Sequence, residues 1–174
     1  YIIDFSKPFV QSIWDSGGND TLDLSESTYE CIINLEPGSY STIPCYNWSM
    51  SNNLGIAFGA IIENANGGLE NDVIYGNSTD NRLNGNAGDD TITGGAGDDT
   101  IDGGTGNDIA NFAGNHSDYT FTSSSDGRTV QVTDTNTGYV DTVTNVETLR
   151  FDDIDISVSQ DGESSFRVET IAGS

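Results

Sequence analysis

Between residues 67 and 111 a large apolar residue returns at every ninth position, as Ile74, Leu83, Ile92 and Ile101, and glycines and polar residues fill the intervals. No sustained helical period accompanies the pattern. Read in register, the segment is five phrases, GGLENDVIY, GNSTDNRLN, GNAGDDTIT, GGAGDDTID and GGTGNDIAN. The third to fifth fit the template G-G-x-G-x-D-x-U-x, where U is a large apolar residue, with lapses at Asn86 and Ala110. Such a phrase predicts a glycine-rich turn followed by a very short strand. One repeat cannot bury its strand alone, so the U residues predict an apolar column of stacked strands. Asp72, Asp90 and Asp108 stand eighteen residues apart, as do Asn81 and Asp99, which suits a coil with two repeats per turn.

After the repeats the pattern changes. Residues 119–123 and 129–133 alternate on either side of Asp126-Gly127, a hairpin signal, and 139–143, 146–151 and 154–158 read as further strands. The chain is therefore expected to be all-β in three parts: an N-terminal flank over 1–66, the repeats over 67–111, and an antiparallel β cap over 112–174. The cap covers the open end of the stack, since an uncovered strand edge invites aggregation.

The phrase also carries chemistry. Glycines let the backbone take positive φ and turn carbonyl oxygens inward, and the aspartate at position six adds a carboxylate to them. Oxygen-only ligands on a flexible turn suit Ca²⁺, which accepts six to eight of them, rather than Mg²⁺ or Zn²⁺. Composition agrees: 34% hydrophobic content with 21 glycines favours turn-rich β structure. Five basic residues against 28 acidic ones give a net charge of −23, which repels nucleic acid and anionic membranes and attracts cations. The longest mostly apolar run, 54–62, is far shorter than the roughly 20 residues of a spanning helix. No signal peptide is visible, and the opening Tyr1-Ile-Ile-Asp reads as a fragment boundary.

These phrases resemble the calcium-binding nonapeptides of RTX proteins, and that resemblance implies a right-handed parallel β-roll with Ca²⁺ held between the loops of repeats i and i+2. Three further blocks, SIWDSGGNDTLDLS at 12–25, INLEPGSYS at 33–41 and IENANGG at 62–68, are similar to the C-terminal domain of serralysin-type secreted zinc proteases. The resemblance implies an upstream catalytic domain, type I export, an extracellular location and about three to five calcium ions. Matched residue by residue, Asp72, Asp90, Asp99 and Asp108 supply carboxylates, and Gly68, Gly88, Gly95, Gly97, Gly104 and Gly106 supply carbonyls. Asp80 with Asn81 is a variant phrase that the family tolerates, and Glu70 replaces a glycine, distorting its turn or adding a carboxylate. Asp15, Gly17, Gly18 and Asp20 match a calcium loop of the serralysin domain, with Glu63 as its partner carboxylate. The family has threonine where this chain has Ile61, which leaves a backbone carbonyl there.

Cys31 and Cys45 lie in an insert that the family match does not cover, and are read either as a disulfide or as two buried thiols. Catalysis is not expected. A zinc protease needs H-E-x-x-H, and this chain has one histidine, His116. His116-Ser117-Asp118 is no triad, because adjacent residues do not align as nucleophile, base and orienter. The expectation is a monomeric calcium-binding module that folds outside the cell and supports an attached metalloprotease. The alternatives are an adhesin segment or a glycan-targeting module, with Trp14, Tyr46 and Trp48 as a stacking platform.

Overall fold

The computed structural model describes residues 9–44, 50–124, 129–158 and 170–171. Its strands in chain order are β1 (Gln11–Ile13), β2 (Thr21–Asp23), β3 (Ile32–Asn34), β4 (Tyr40–Ser41), β5 (Leu54–Ile56), β6 (Asn64–Asn66), β7 (Val73–Tyr75), β8 (Arg82–Asn84) and β9 (Thr91–Thr93). They continue as β10 (Thr100–Asp102), β11 (Ile109–Asn111), β12 (Tyr119–Ser123), β13 (Thr129–Asp134), β14 (Val140–Thr144), β15 (Thr148–Arg150), β16 (Asp155–Ser157) and β17 (Thr170–Ile171). Among the described residues the one helix is a 3₁₀ turn at His116–Asp118. Most strands of the roll are three residues long because a glycine turn precedes and follows each one, and only the middle side chain faces the core.

The strands alternate between two sheets, so the chain winds as a parallel β-roll. One sheet runs β12-β13-β14-β10-β8-β6-β2 and the other β17-β16-β15-β11-β9-β7-β3. Parallel pairing stacks Leu22, Ala65, Leu83, Ile101 and Val143 in the first sheet. The second sheet stacks Ile33, Ile74, Ile92, Ala110 and Leu149. All ten are buried, and the two facing columns form the core.

The roll reaches beyond the repeats at both ends. Two strands of the 1–66 flank, β2 and β3, are its first turn. Two strands of the 112–174 segment, β14 and β15, pair parallel with β10 and β11 and are its last. Antiparallel pairs join β12 to β13, β13 to β14, β15 to β16 and β16 to β17, so the antiparallel cap is laid on a parallel roll turn that the sequence pattern places outside the roll. The difference arises because no glycine phrase leads into β14 or β15, although Val143 and Leu149 hold the apolar column. Insertions at 35–63 and 112–139 break the nine-residue period. The first carries β4 and β5, which form the small sheet β1-β5-β4 with the N-terminal β1, and Ile13, Leu54 and Ile56 of that sheet join the core. The second carries the β12-β13 hairpin, whose Tyr119 and Phe121 pack on Phe151, which stacks on Phe112 at 5.3 Å. The hairpin residues Asp126 and Gly127 lie outside the described residues, as do Cys45, Tyr46 and Trp48.

The column generates a stability test. Ile92 is fully buried, so Ile92→Ala is expected to lower stability by about 2–5 kcal/mol through lost burial and a cavity. Val10 is 80% exposed, and Val10→Ala is expected to change it by about 0.5 kcal/mol or less. Denaturant unfolding of both variants in calcium checks the difference.

Candidate metal centres

The turns of the roll depend on backbone conformations that side chains resist. Gly104 sits at φ +101°, and a Cβ there would overlap the carbonyl oxygen of Asn86 in the turn below. Gly88, Gly95, Gly97 and Gly106 share the positive φ. Asn86, the lapse at position two, takes φ +73°, a left-handed conformation that asparagine tolerates better than most residues. Gly68 has no such φ, and its amide instead donates to Asp72 Oδ2.

Position six links one turn to the next. Asp72 N donates to Asp90 Oδ1 at 2.7 Å and Asp90 N to Asp108 Oδ1 at 2.8 Å. On the opposite edge Asn81 N donates to Asp99 Oδ1 at 2.8 Å. Both ladders extend past the repeats. Asp99 N donates to Asp141 Oδ1 and Asp108 N to Glu147 Oε2, each at 2.8 Å, while Cys31 N donates to Asp72 Oδ1 at 2.7 Å. Sequence reasoning missed Asp141, Glu147 and Cys31 as ladder members because the insertions replace the eighteen-residue spacing with separations of 42, 39 and 41.

The second carboxylate oxygen separates intact phrases from degenerate ones. In Asp90, Asp99 and Asp108, Oδ2 is buried and has no hydrogen-bond partner. Those are the aspartates of the three phrases that fit the template. Asp72 Oδ2 is already taken by Gly68 N, and Asn81 Oδ1 accepts Asn77 N at 2.8 Å. Asn81 Nδ2 donates to Glu63 O and to Asn77 Oδ1, so the second phrase is closed by neutral amides. Beside each unpartnered oxygen the first glycine of the phrase leaves a hollow. A Cβ on Gly85 would overlap Asp90 Oδ2 and Gly103 O, and one on Gly103 would overlap Asn145 O and Asp108 Oδ2.

Carboxylates buried in this way resist ionisation. Burial pushes Asp90 and Asp99 up to about 7, and Asp108 and Asp141 up to about 6, with neighbouring carboxylates adding to the rise. The hollows thus combine uncompensated negative charge, an orphaned oxygen and carbonyls, a donor set that fits a hard cation. Among the described residues no three acidic, histidine or cysteine side chains converge, so each centre would draw its remaining ligands from the backbone.

The other expected residues divide. Asp20 N donates to Glu63 Oε2 at 2.8 Å, which brings the Gly18–Asp20 loop to Glu63. Asp15 Oδ2 accepts Gly17 N at 2.9 Å within its own turn, and Ile61 is 40% exposed. The Glu70 side chain is exposed, and its carbonyl abuts Gly88. Asp80 belongs to a second, exposed ladder at position five. Asp98 N donates to Asp80 Oδ1 and Val140 N to Asp98 Oδ1, as Asp89 N does to Asn71 Oδ1 and Asn107 N to Asp89 Oδ1. These residues occupy an unspecified place in the template, and only their eighteen-residue recurrence signals them. Cys31 is buried with Sγ 3.3 Å from Ser27 Oγ, and its expected pairing with Cys45 falls outside the described residues.

A pH dependence follows. Asp90, Asp99 and Asp108 are held above their ordinary 3.8, so without metal the fold binds protons that the unfolded chain releases. Their contribution to stability is complete below about pH 4 and is lost as pH rises through 6 to 7. Calcium-stripped protein is therefore expected to melt at a higher temperature at pH 5 than at pH 8. The opposite order in circular dichroism melts would contradict these burial-driven shifts.

Comparison with known proteins bears on the same turns. The family model described as Peptidase M10 serralysin C terminal matches residues 2–172. Serralysin of Proteus mirabilis is 41% identical over 80 residues, covering 46% of this chain and 16% of that protein. Serralysin C of Dickeya chrysanthemi is 48% identical over 71 residues, covering 41% and 14%. The matched part is thus about a sixth of the length of these relatives. The extracellular lipase LipA of Serratia marcescens shares the fold, with a TM-score of 0.52 at 22% identity over 64% of this chain and 20% of that one. With the match running almost end to end over a parallel roll of nonapeptide turns, the chain belongs to the serralysin C-terminal family of M10 peptidases.

Proposed function

We propose that this chain is a calcium-binding module that folds when Ca²⁺ is available and stabilises a larger secreted metalloprotease of which it forms the C-terminal part. The observation that carries this reading is the set of three buried carboxylate oxygens without donors, on Asp90, Asp99 and Asp108. Bound calcium supplies positive charge and room for six to eight oxygen ligands. Around it, Asp90, Asp99 and Asp108 each hold one turn to the next through Oδ1 and present Oδ2 to the hollow beside Gly85, Gly94 or Gly103. Three centres is the number these turns support, with a further one where the Gly18–Asp20 loop meets Glu63.

The charge balance makes the module conditional. With 28 acidic residues against five basic ones, the metal-free chain is expanded by repulsion, and the binding energy of the cation becomes folding energy. Extracellular calcium modules work at roughly 10⁻⁴ to 10⁻³ M, so the chain would be loose inside a cell and folded outside. A loose chain suits export through a type I channel. On this reading peptidase chemistry would belong to another part of the protein, consistent with a sequence that holds one histidine and no H-E-x-x-H.

Calcium titration of chelated protein, followed by circular dichroism, tests the reading. Calcium is expected to induce β signal and a large rise in melting temperature, and equal Mg²⁺ to do little. Asp90→Ala is expected to raise the calcium midpoint at least about tenfold, since even outer-shell losses cost 10–100-fold in metal affinity. Glu26, whose side chain is exposed, serves as the control, and Glu26→Ala should leave the midpoint in place. Equal midpoints, or a chelated protein already folded and indifferent to calcium, would overturn the proposal.

A further inference from the structure

A cleft of about 360 Å³ opens where the second insertion folds back against the roll, between the Gly94–Gly97 turn and the loop that leads into β14. Its volume falls within the range of small-molecule sites. Asn111, Phe112, Tyr119, Asp134, Tyr139 and Asp141 line it, and no lysine, arginine or histidine does. Tyr119 meets Phe112 edge to face at 5.7 Å, and its hydroxyl is tied to Ala113 O at 2.6 Å, so that ring is fixed. Tyr139 is 43% exposed.

The charged groups of the cleft are two carboxylates. Asp134 is pinned by Asn136 N at 2.7 Å and by Thr137 Oγ1 at 2.9 Å, and Asp141 by Asp99 N. Asn111 Oδ1 is buried and has no donor at all. A ligand that fits must therefore bring donors and positive charge, and must tolerate flat aromatic walls. An ammonium is compact and strongly hydrated, whereas a guanidinium is planar, more weakly hydrated, stacks on aromatic faces and presents five donors.

We propose that this cleft binds the guanidinium of an arginine side chain in a peptide ligand, with Asp134 and Asp141 as acceptors and Tyr119 and Tyr139 as stacking faces. The site is separate in kind from the calcium turns, although it shares the Gly94–Gly97 backbone and Asp141 with the edge on which Asp99 lies.

The test is a calorimetric titration of calcium-saturated protein with Nα-acetyl-arginine amide, Nα-acetyl-lysine amide and Nα-acetyl-citrulline amide. The arginine amide is expected to bind with Kd of about 10⁻³ M or tighter, and the uncharged citrulline amide at least about tenfold more weakly. The lysine amide should fall between them. Tyr139→Ala and Asp134→Asn are each expected to weaken arginine binding about fivefold or more, with melting temperature measured alongside to confirm an intact fold. Tyr75→Ala, which removes an exposed ring outside the cleft, should leave it unchanged. A protein of net charge −23 attracts any cation, so equal binding of arginine and lysine amides, indifferent to Tyr139→Ala, would overturn the site. So would absence of saturation by the arginine amide at about 10 mM. Calcium binding is measured on the same sample, so a chain that takes calcium and ignores arginine loses the cleft alone.

Discussion

A position-six carboxylate in this fold belongs to two turns at once. Its Oδ1 accepts the amide of the equivalent residue one turn earlier, and this single contact, repeated on both edges, sets how the coils stack. To reach that amide the side chain must enter the interior, where ionisation is disfavoured and, in Asp90, Asp99 and Asp108, the second oxygen finds no donor. The same geometry that orders the roll thus creates its electrostatic problem. A cation, or protonation, relieves it.

The repeats made the stack legible over 67–111 because a period of nine is hard to satisfy in any other way than turn and strand. Asp90, Asp99 and Asp108 were legible as ladder members for the same reason. Which of the position-six residues keep an oxygen unpartnered was not, because Asp72 and Asn81 recur at the same spacing. What distinguishes them is local: the amides of Gly68 and Asn77 reach back to their side chains. The first and last turns were illegible for another reason. Val143 and Leu149 occupy the apolar column, yet a valine or leucine outside a phrase looks like any other strand residue, and the insertions remove the spacing that would have placed them.

The second phrase shows how the fold manages without a carboxylate. Asn81 holds the ladder position, accepts Asn77 N, and spends its Nδ2 on Glu63 O and Asn77 Oδ1. Asn77 in turn donates to Ile62 O at 2.8 Å and Leu35 O at 3.3 Å. The Asn81 side chain thus has only neutral partners, and position six of this turn carries no charge that needs compensation. The turn sits between the first phrase, where Gly68 N satisfies Asp72 Oδ2, and the three intact phrases, where Oδ2 has no donor.

Both insertions fall on the same kind of connection. Residues 35–63 follow β3 and precede β6, and residues 112–139 follow β11 and precede β14, so each leaves the second sheet and returns to the first. The opposite connections, from first sheet to second, stay short through the whole coil. One edge of the roll is therefore a closed spine and the other an open margin along which extra chain can be hung without disturbing the register of either sheet. For evolution or for a designer, new surface can be added turn by turn at that margin, while the spine preserves the winding.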